Sequence, residues 1–348
     1  MIIDMHAHWV PRGLIHAAEK GVPWYGWRIL QGPNDVEYLA LDQRLWPYRA
    51  AGSSLLDPDE RRRQRIAEQG IDFEGLMLLG LFWNYHLPPD EGSAFCREVN
   101  TEVAEVERAY PLSYRGLGVL PMQSTRHALA ELEHAVTNLG LGSFVIAATI
   151  EGLNLDDPAI LPVLEAAAEA NVSLSVHPPI WNKAADARLP RYFFANSFGA
   201  PLESSIALMS VIYSGLLDRC PDLRLSFTHG GGWVQYGVGR FTLRYHQRDD
   251  AHPMALPPAE YLPRMWYDCL IHDEESFKLL VKRVGSTQLF VGTDWPALGD
   301  IPGGAANWIK SFDWLSEEER QDILWRNASR FLGIADRLAG TAESKPKQ

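Results

Sequence analysis

The sequence lacks any apolar run of 18 residues, which is the length a helix needs to cross a bilayer. Its three cysteines, Cys96, Cys220 and Cys269, have no CxxC spacing and fit neither a disulfide framework nor a cysteine zinc site. A basic segment followed by an apolar stretch and a cleavage site, the mark of a secretory leader, is also missing. We therefore expect a cytoplasmic protein with no membrane contact.

Positive charge is scarce. Lysine and arginine total 32 against 44 acidic residues, a net charge of −12, which repels polyphosphates and argues against a nucleic-acid partner. An anionic small-molecule substrate would need local arginines. The motif HGGG occurs in serine esterases, but the GxSxG nucleophile elbow that such enzymes need is absent, as are GxGxxG and the P-loop. Serine hydrolases and nucleotide-dependent enzymes are thereby disfavoured.

Short apolar, β-prone runs alternate with longer amphipathic segments along the chain. Eight candidate strands are predicted, at 2–8, 73–81, 114–120, 143–149, 172–177, 223–229, 264–270 and 288–294. Eight strands separated by helices favour an α/β fold of the (β/α)8 TIM-barrel type, with a doubly wound open sheet as the alternative. We expect one domain over 1–339, with insertions at 9–56, 178–205 and 230–262 and a flexible tail at 340–348.

The stretch DPDERRRQRIAEQG before the second predicted strand carries the signals of a helix. Asp57 is the expected N-cap, Glu60 completes a capping box with it, and Gly70 suits the C-terminal turn. The run RRRQR resembles a nucleic-acid patch in isolation. On a helix with neighbouring acids, it is better interpreted as a solvated face.

Polar residues follow the apolar part of four predicted strands. His6 and His8 lie one residue apart in the first strand, so their side chains share one face, while His177, His229 and Asp294 end the fifth, sixth and eighth strands. In an α/β barrel these strand ends meet at the active-site face. Nitrogen and carboxylate ligands without thiolate predict one divalent metal ion, zinc first and manganese or iron next.

This order of HxH, His, His and Asp resembles the amidohydrolase superfamily. Within it, DMHAHWVP, VHPP, THGGGW and GTDWP are similar to the branch of α-amino-β-carboxymuconate-ε-semialdehyde decarboxylases and related aromatic-acid decarboxylases. The resemblance implies that His6, His8, His177 and Asp294 bind the metal and that His229 is catalytic, with Asp294 sharing proton transfer. It also implies non-oxidative decarboxylation of an aromatic or dienoic carboxylic acid.

The same resemblance implies that arginines hold the substrate carboxylate and that the protein is a homodimer. Arg49 matches one such arginine, and Arg240, in VGRF, matches a second that a neighbouring subunit supplies. Guanidinium groups suit this task because they hold carboxylates bidentately. Tyr192 stands where the decarboxylase has Trp, and Trp181 is a further candidate for substrate contact. Other aromatic residues near strand ends could wall a flat ring or pack the loops: Trp9, Phe82, Trp83 and Trp295.

Two alternatives remain open at this point. The same residues could run metal-dependent hydrolysis of a lactone or amide, with a metal-bound water as nucleophile. An inactive metal-binding barrel used for interaction would keep the metal but turn over nothing. The fourth predicted strand, SFVIAAT, ends without the lysine of binuclear relatives, which favours a single metal, although Glu151 could substitute.

Overall fold

The computed structural model describes residues 1–33, 36–50, 57–180, 186–248, 253–296 and 304–342, without the side chains at 49–50, 186 and 339–342. Within these ranges the centre of the molecule is made of the strands β1 (Ile3–Trp9), β5 (Phe73–Leu78), β6 (Tyr114–Gly116), β7 (Ser143–Ala147), β8 (Ser173–His177), β9 (Arg224–Phe227), β10 (Trp266–Asp268) and β11 (Leu289–Phe290). They form two parallel sheets, in the orders β1-β5-β6 and β11-β10-β9-β8-β7.

Parallel bridges join the edges of the two sheets. On one side Asp4 pairs with Val291 and Ala7 with Trp295, and on the other Gly118 pairs with Phe144. Backbone hydrogen bonds cross both seams, for example from Met5 to Val291 at 2.8 Å and from Val145 to Gly118 at 2.8 Å. These bridges close the eight strands into a TIM barrel, so the prediction of a (β/α)8 fold is confirmed and the open-sheet alternative is wrong.

Helices surround the barrel in alternation with its strands. The larger ones are α1 (Arg12–Glu19), α2 (Glu60–Glu68), α3 (Pro89–Ala109), α4 (Thr125–His134), α5 (Leu161–Glu169), α6 (Ala200–Tyr213), α8 (Val234–Tyr245), α9 (Glu274–Val284) and α13 (Ala335–Ala342). The shorter ones are α7 (Leu216–Arg219), α10 (Ala305–Lys310), α11 (Glu317–Gln321) and α12 (Asn327–Phe331). In α3, acidic residues occupy the first turn, and Phe95, Val99 and Val103 recur every four residues on the buried face.

Helix α2 differs from its prediction in two respects. Its N-cap is Asp59, whose carboxylate accepts a hydrogen bond from the Arg62 amide at 2.9 Å, whereas the sequence suggested Asp57. Both aspartates are capable caps. With Asp59 as the N-cap, the third helical residue is Arg62, so Glu60 does not form the expected capping box. The basic run is also not wholly solvated, because the Arg62 side chain is fully buried.

The expected insertion after the first strand contains α1 and a small antiparallel sheet in the order β2-β3-β4. Its strands are β2 (Arg28–Gln31), β3 (Val36–Leu41) and β4 (Arg44–Ala50). Trp27 anchors this region, since its indole nitrogen donates to Asn84 Oδ1 at 2.8 Å. At the other end of the chain, α13 continues to Ala342, and 343–348 lie outside the described residues. No helix in the described part is long and apolar enough to span a bilayer.

Candidate metal centre

His6 and His8 project from the end of β1 into the barrel. Both are buried, and their Nε2 atoms lie 3.2 Å apart. The other ring nitrogen of His6, Nδ1, lies 2.8 Å from Asp268 Oδ2 at the end of β10. Because a carboxylate accepts hydrogen bonds, this contact places the proton of His6 on Nδ1 and leaves a lone pair on Nε2.

His177 ends β8 and reaches the same point from across the barrel. Its Nδ1 donates to the Pro178 carbonyl oxygen at 2.7 Å, so its Nε2 also carries a lone pair. That Nε2 atom is buried and has no hydrogen-bond partner among the described residues. A buried unpaired polar atom is costly in a folded protein. Its presence here fits a ligand that binds the lone pair.

Asp294 completes the cluster from the loop after β11. Its backbone is left-handed, with φ of 57°, which turns the carboxylate back toward β1. Its Oδ1 lies 2.8 Å from His8 Nε2 and 3.5 Å from His6 Nε2. The structure thus brings together four side chains from sequence positions as far apart as 6 and 294.

One ligand atom from each of His6, His8, His177 and Asp294 lies within 4.8 Å of the others. Ligand atoms around a tetrahedral zinc stand about 3.3–3.6 Å apart, given bonds of about 2.0–2.2 Å. The separations of 2.8–3.5 Å among the His6, His8 and Asp294 atoms are close to that spacing. The cluster could therefore hold one metal ion. Glu151, the residue considered for a second metal, is exposed and belongs to a different cavity.

The electrostatics of the cluster follow from burial and from its carboxylates. Burial lowers the pKa of His8 and of His177 below the ordinary histidine value. Burial also acts to lower the pKa of His6, but the hydrogen bond to Asp268 and the charge of Asp294 outweigh it, so this pKa is raised. Burial opposes ionisation of Asp294, yet its contact with His8 and the charge of His6 hold the pKa of this carboxyl low. These carboxylates supply the negative charge that a cation needs.

His229 stands beside the cluster without being part of it. Its ring centroid lies 5.3 Å from that of His6 and 5.6 Å from that of His177. Burial, together with the charge of His6, lowers the pKa of His229 to about 4, so its imidazole is neutral at pH 7. A neutral imidazole can accept a proton.

Two adjoining cavities open onto these side chains. One, of about 180 Å³, is lined by His8, His177, His229 and Asp294 and by the apolar residues Trp46, Leu79, Pro178, Pro179, Ile180, Phe193, Ala195 and Ala200. The second, of about 360 Å³, shares Phe193, Asn196, His229 and Asp294 with the first and extends to Trp233 and His272. Together they place apolar side chains next to the candidate metal cluster and His229.

The predicted substrate contacts are not gathered in this way. Tyr192 is 77% exposed and lines neither cavity, whereas the adjacent Phe193 lines both. Arg240 is exposed on α8 and also lines neither cavity. The backbone of Arg49 lies in β4, but its side chain, like the whole of Trp181, is outside the described residues. Contact of these residues with substrate stays a prediction.

The aromatic residues considered as cavity walls lie outside these two cavities. Trp9, Phe82, Trp83 and Trp295 are buried and line neither of them, although Trp83 lines a separate cavity of about 260 Å³. The wall instead includes Trp46, which the sequence analysis did not select because β4 lies in the insertion.

Asp268 is a site residue that sequence reasoning missed. The signal was available, because Asp268 lies near the end of the seventh predicted strand, as His177 and Asp294 do in theirs. It contacts Nδ1 of His6, on the side of the ring away from the cluster, so it is a partner of a ligand candidate.

Comparisons with known proteins agree with this arrangement. A family model described as amidohydrolase matches residues 3–334. The chain is 32% identical over 337 residues to 2-amino-3-carboxymuconate-6-semialdehyde decarboxylase of Dictyostelium discoideum, covering 95% of this chain and 91% of that protein. It is 24% identical over 308 residues to gamma-resorcylate decarboxylase of Polaromonas sp. JS666, covering 83% and 91%.

Solved structures show the same fold. The 5-carboxyvanillate decarboxylase of Sphingomonas paucimobilis matches with a TM-score of 0.80 at 21% identity, over 96% of this chain and 99% of that one. The dihydroxybenzoic acid decarboxylase of Polaromonas sp. JS666, solved with manganese and the inhibitor 2-nitroresorcinol, matches with a TM-score of 0.78 at 21% identity, over 97% and 99%.

Proposed function

The chain belongs to the amidohydrolase family, and from this premise we propose that it is a metal-dependent, non-oxidative decarboxylase of an aromatic or dienoic carboxylic acid. The observation that carries the proposal is the convergence of His6, His8, His177 and Asp294, with two imidazole tautomers fixed by hydrogen bonds, beside a neutral His229. The decarboxylase names of the relatives favour this reaction over hydrolysis.

A divalent ion held by these four residues would act as a Lewis acid toward a substrate carboxylate and an adjacent oxygen. The apolar wall of Trp46, Leu79 and Ile180 excludes water and orients a flat substrate. The carbon that bears the carboxylate must gain one proton, after which CO2 leaves and the electron pair of the broken C–C bond stays with the product. His229, neutral at rest, takes this proton from solvent water and delivers it to that carbon, and Asp294 is the second candidate for this step.

We propose zinc as the metal, with manganese or iron as alternatives. Three imidazole nitrogens and one carboxylate oxygen suit zinc, and the same donors accept manganese and iron. Manganese has support from the dihydroxybenzoic acid decarboxylase structure, which was solved with it.

We propose that Arg49 and Arg240 hold the substrate carboxylate and that Arg240 acts in the site of a second copy. The exposed face of α8 supports this arrangement, because it presents Tyr236 (88% exposed) and Leu243 (53% exposed) on either side of Arg240. Spacings of four and three residues place these side chains on one helix face. Exposed apolar residues of this kind mark interaction surfaces, and a homodimer would bury them.

We propose a cytoplasmic location because the cysteines are reduced. Cys96 and Cys269 are buried and Cys220 is partly buried, and among the described residues these three cysteines form no disulfide. Reduced thiols fit a reducing compartment.

The proposal is tested by elemental analysis of the purified protein and by assays of hydroxybenzoates, carboxylated semialdehydes and lactones with detection of CO2. We expect one metal per chain and release of CO2, both lost in His177→Ala. The exposed His16 on α1 provides the control, and His16→Ala should retain both. Addition of water to a lactone without CO2 would identify a hydrolase instead. Metal with no turnover on any substrate would indicate an interaction protein.

A further inference from the structure

Asp268 is fully buried at the end of β10, and both of its carboxylate oxygens accept hydrogen bonds. Oδ2 accepts from His6 Nδ1 at 2.8 Å. Oδ1 accepts from the backbone amide of Gly230 at 3.0 Å and from that of Leu270 at 3.2 Å. One carboxylate therefore connects β10 to a histidine of β1 and to the turn after β9.

The contact with His6 decides which nitrogen of that ring is free. A neutral imidazole carries one proton, and the hydrogen bond to Oδ2 keeps it on Nδ1, leaving Nε2 to face His8 and Asp294. A carboxylate in this position also increases the basicity of the ligand nitrogen and fixes the orientation of the ring.

The contact with Gly230 supports the backbone conformation of His229. The backbone runs left-handed through His229, Gly230, Gly231 and Gly232, with φ values of 56°, 60°, 73° and 69°. For a residue with a side chain such as His229, this conformation is disfavoured and needs support from its surroundings. The hydrogen bond from the Gly230 amide to Asp268 provides such support one residue after the imidazole.

Gly292 makes room for the pair. A Cβ atom built on Gly292 would lie 2.9 Å from Cβ of Asp268 and 2.9 Å from Cβ of His6, closer than real Cβ contacts allow. The segment after β11 can therefore run beside these two side chains only because residue 292 is glycine.

We infer that Asp268 is a positioning residue that sets the tautomer of His6 and holds the turn that carries His229. It does not bind the metal itself, because it contacts the side of the His6 ring remote from the other ligand candidates. The inference rests on the proposed function, since it takes His6 as a metal ligand.

The test is Asp268→Asn in the full-length protein, with Glu131→Gln as the matched control. Glu131 is equally buried and accepts hydrogen bonds from Arg97 and Asn100, but it lies on the outer helix α4. Metal affinity is measured by titrating each apoprotein with Co²⁺ and following its visible spectrum. We expect Asp268→Asn to bind Co²⁺ about 10–100-fold more weakly and with an altered spectrum, because partners of metal-binding histidines contribute on that scale. Glu131→Gln should bind as the wild type does.

A second readout needs no Asp268 variant. In the zinc-loaded wild type labelled with ¹⁵N-histidine, we expect an Nδ1-protonated imidazole signal that disappears in His6→Asn. Finding His6 protonated at Nε2 would overturn the inference, as would Co²⁺ affinity and spectrum in Asp268→Asn equal to those of Glu131→Gln. A wild type that binds no metal would refute the proposed function itself, whereas a metal-loaded, CO2-releasing wild type with an unaffected Asp268→Asn would refute only the role of Asp268.

Discussion

Arg62 offers a test of how a buried ion pair stabilises the barrel next to the candidate metal centre. Its guanidinium is fully buried, with Nε and Nη2 donating to the two oxygens of Glu74 at 2.9 and 3.1 Å. Nη1 donates to the His8 carbonyl oxygen at 2.6 Å, and the group lies 5.1 Å from the centre of the Trp295 ring. Arg62→Met would remove all of these contacts and leave the Glu74 carboxylate buried without its guanidinium.

The expected cost of this substitution is large. Removing one member of a buried ion pair lowers the free energy of unfolding by about 3–5 kcal/mol, because the remaining charge stays desolvated. With an m value of about 3 kcal/mol/M, this corresponds to a shift of about 1–1.7 M in the urea midpoint, followed by tryptophan fluorescence. The adjacent Arg63 is the control, since it pairs with the exposed Glu60. Arg63→Met should cost about 1 kcal/mol or less.

Two comparisons of urea midpoints show whether the unpaired Glu74 charge causes the loss of stability. The double variant Arg62→Met, Glu74→Leu should recover most of the lost stability, because an apolar pair replaces a broken ionic one. Similar urea midpoints for Arg62→Met and Arg63→Met would refute the reasoning. So would a double variant less stable than Arg62→Met, since the unpaired Glu74 charge would then not be the source of the loss.

Three further predictions concern the site itself. Gly80→Ala places a Cβ 3.2 Å from two atoms of the His177 ring and should weaken metal binding about tenfold in chelator competition, whereas Gly75→Ala, whose nearest contact is at 3.4 Å, should not. Because burial lowers the pKa of His229 to about 4 and a bound cation lowers it further, kcat/KM at saturating metal should persist to pH 5.5, and an acid limb near 6.5 would contradict this base. Mixing Arg240→Ala with His177→Ala chains should restore about a quarter of the wild-type rate if Arg240 acts across a dimer, and nothing if it acts within its own chain.

The barrel and the cluster could be predicted because their signals are local. Each barrel strand is a short apolar run between helix signals, and His177, His229 and Asp294 end such runs. Parallel strands bring their carboxyl ends to one face, so residues at strand ends meet without any knowledge of packing. The last strand was predicted too long, at 288–294. In the structure it ends at Phe290, after which the chain follows β1 through bridges at Val291 and Trp295.

The burial of Arg62 could not be predicted in the same way. Within RRRQR, four arginines have equal propensity and equal charge, and helix periodicity alone does not tell which of them points to the barrel. The choice depends on Glu74, which the sequence places in an apolar strand with no sign of its partner. The sequence likewise does not tell whether Tyr192 or Phe193 lines the cavity. The backbone angles of a loop decide where neighbouring side chains point, and here both residues have a left-handed backbone.

The alternation of polar and apolar residues along a strand says more about the site than the residue at the strand end alone. In β1, Asp4, His6 and His8 alternate with apolar residues, and they bond to Thr293, Asp268 and Asp294 respectively. In β8, Ser173 and Ser175 precede His177 on the same face, with their hydroxyl groups 2.9 Å from those of Ser143 and Ser226. Alternation places each row on one side of its strand, and the cross-strand hydrogen bonds put both rows inside the barrel. The two strands that supply the candidate imidazole ligands are therefore polar along their inner faces, and the alternation that shows this can be found in the sequence itself.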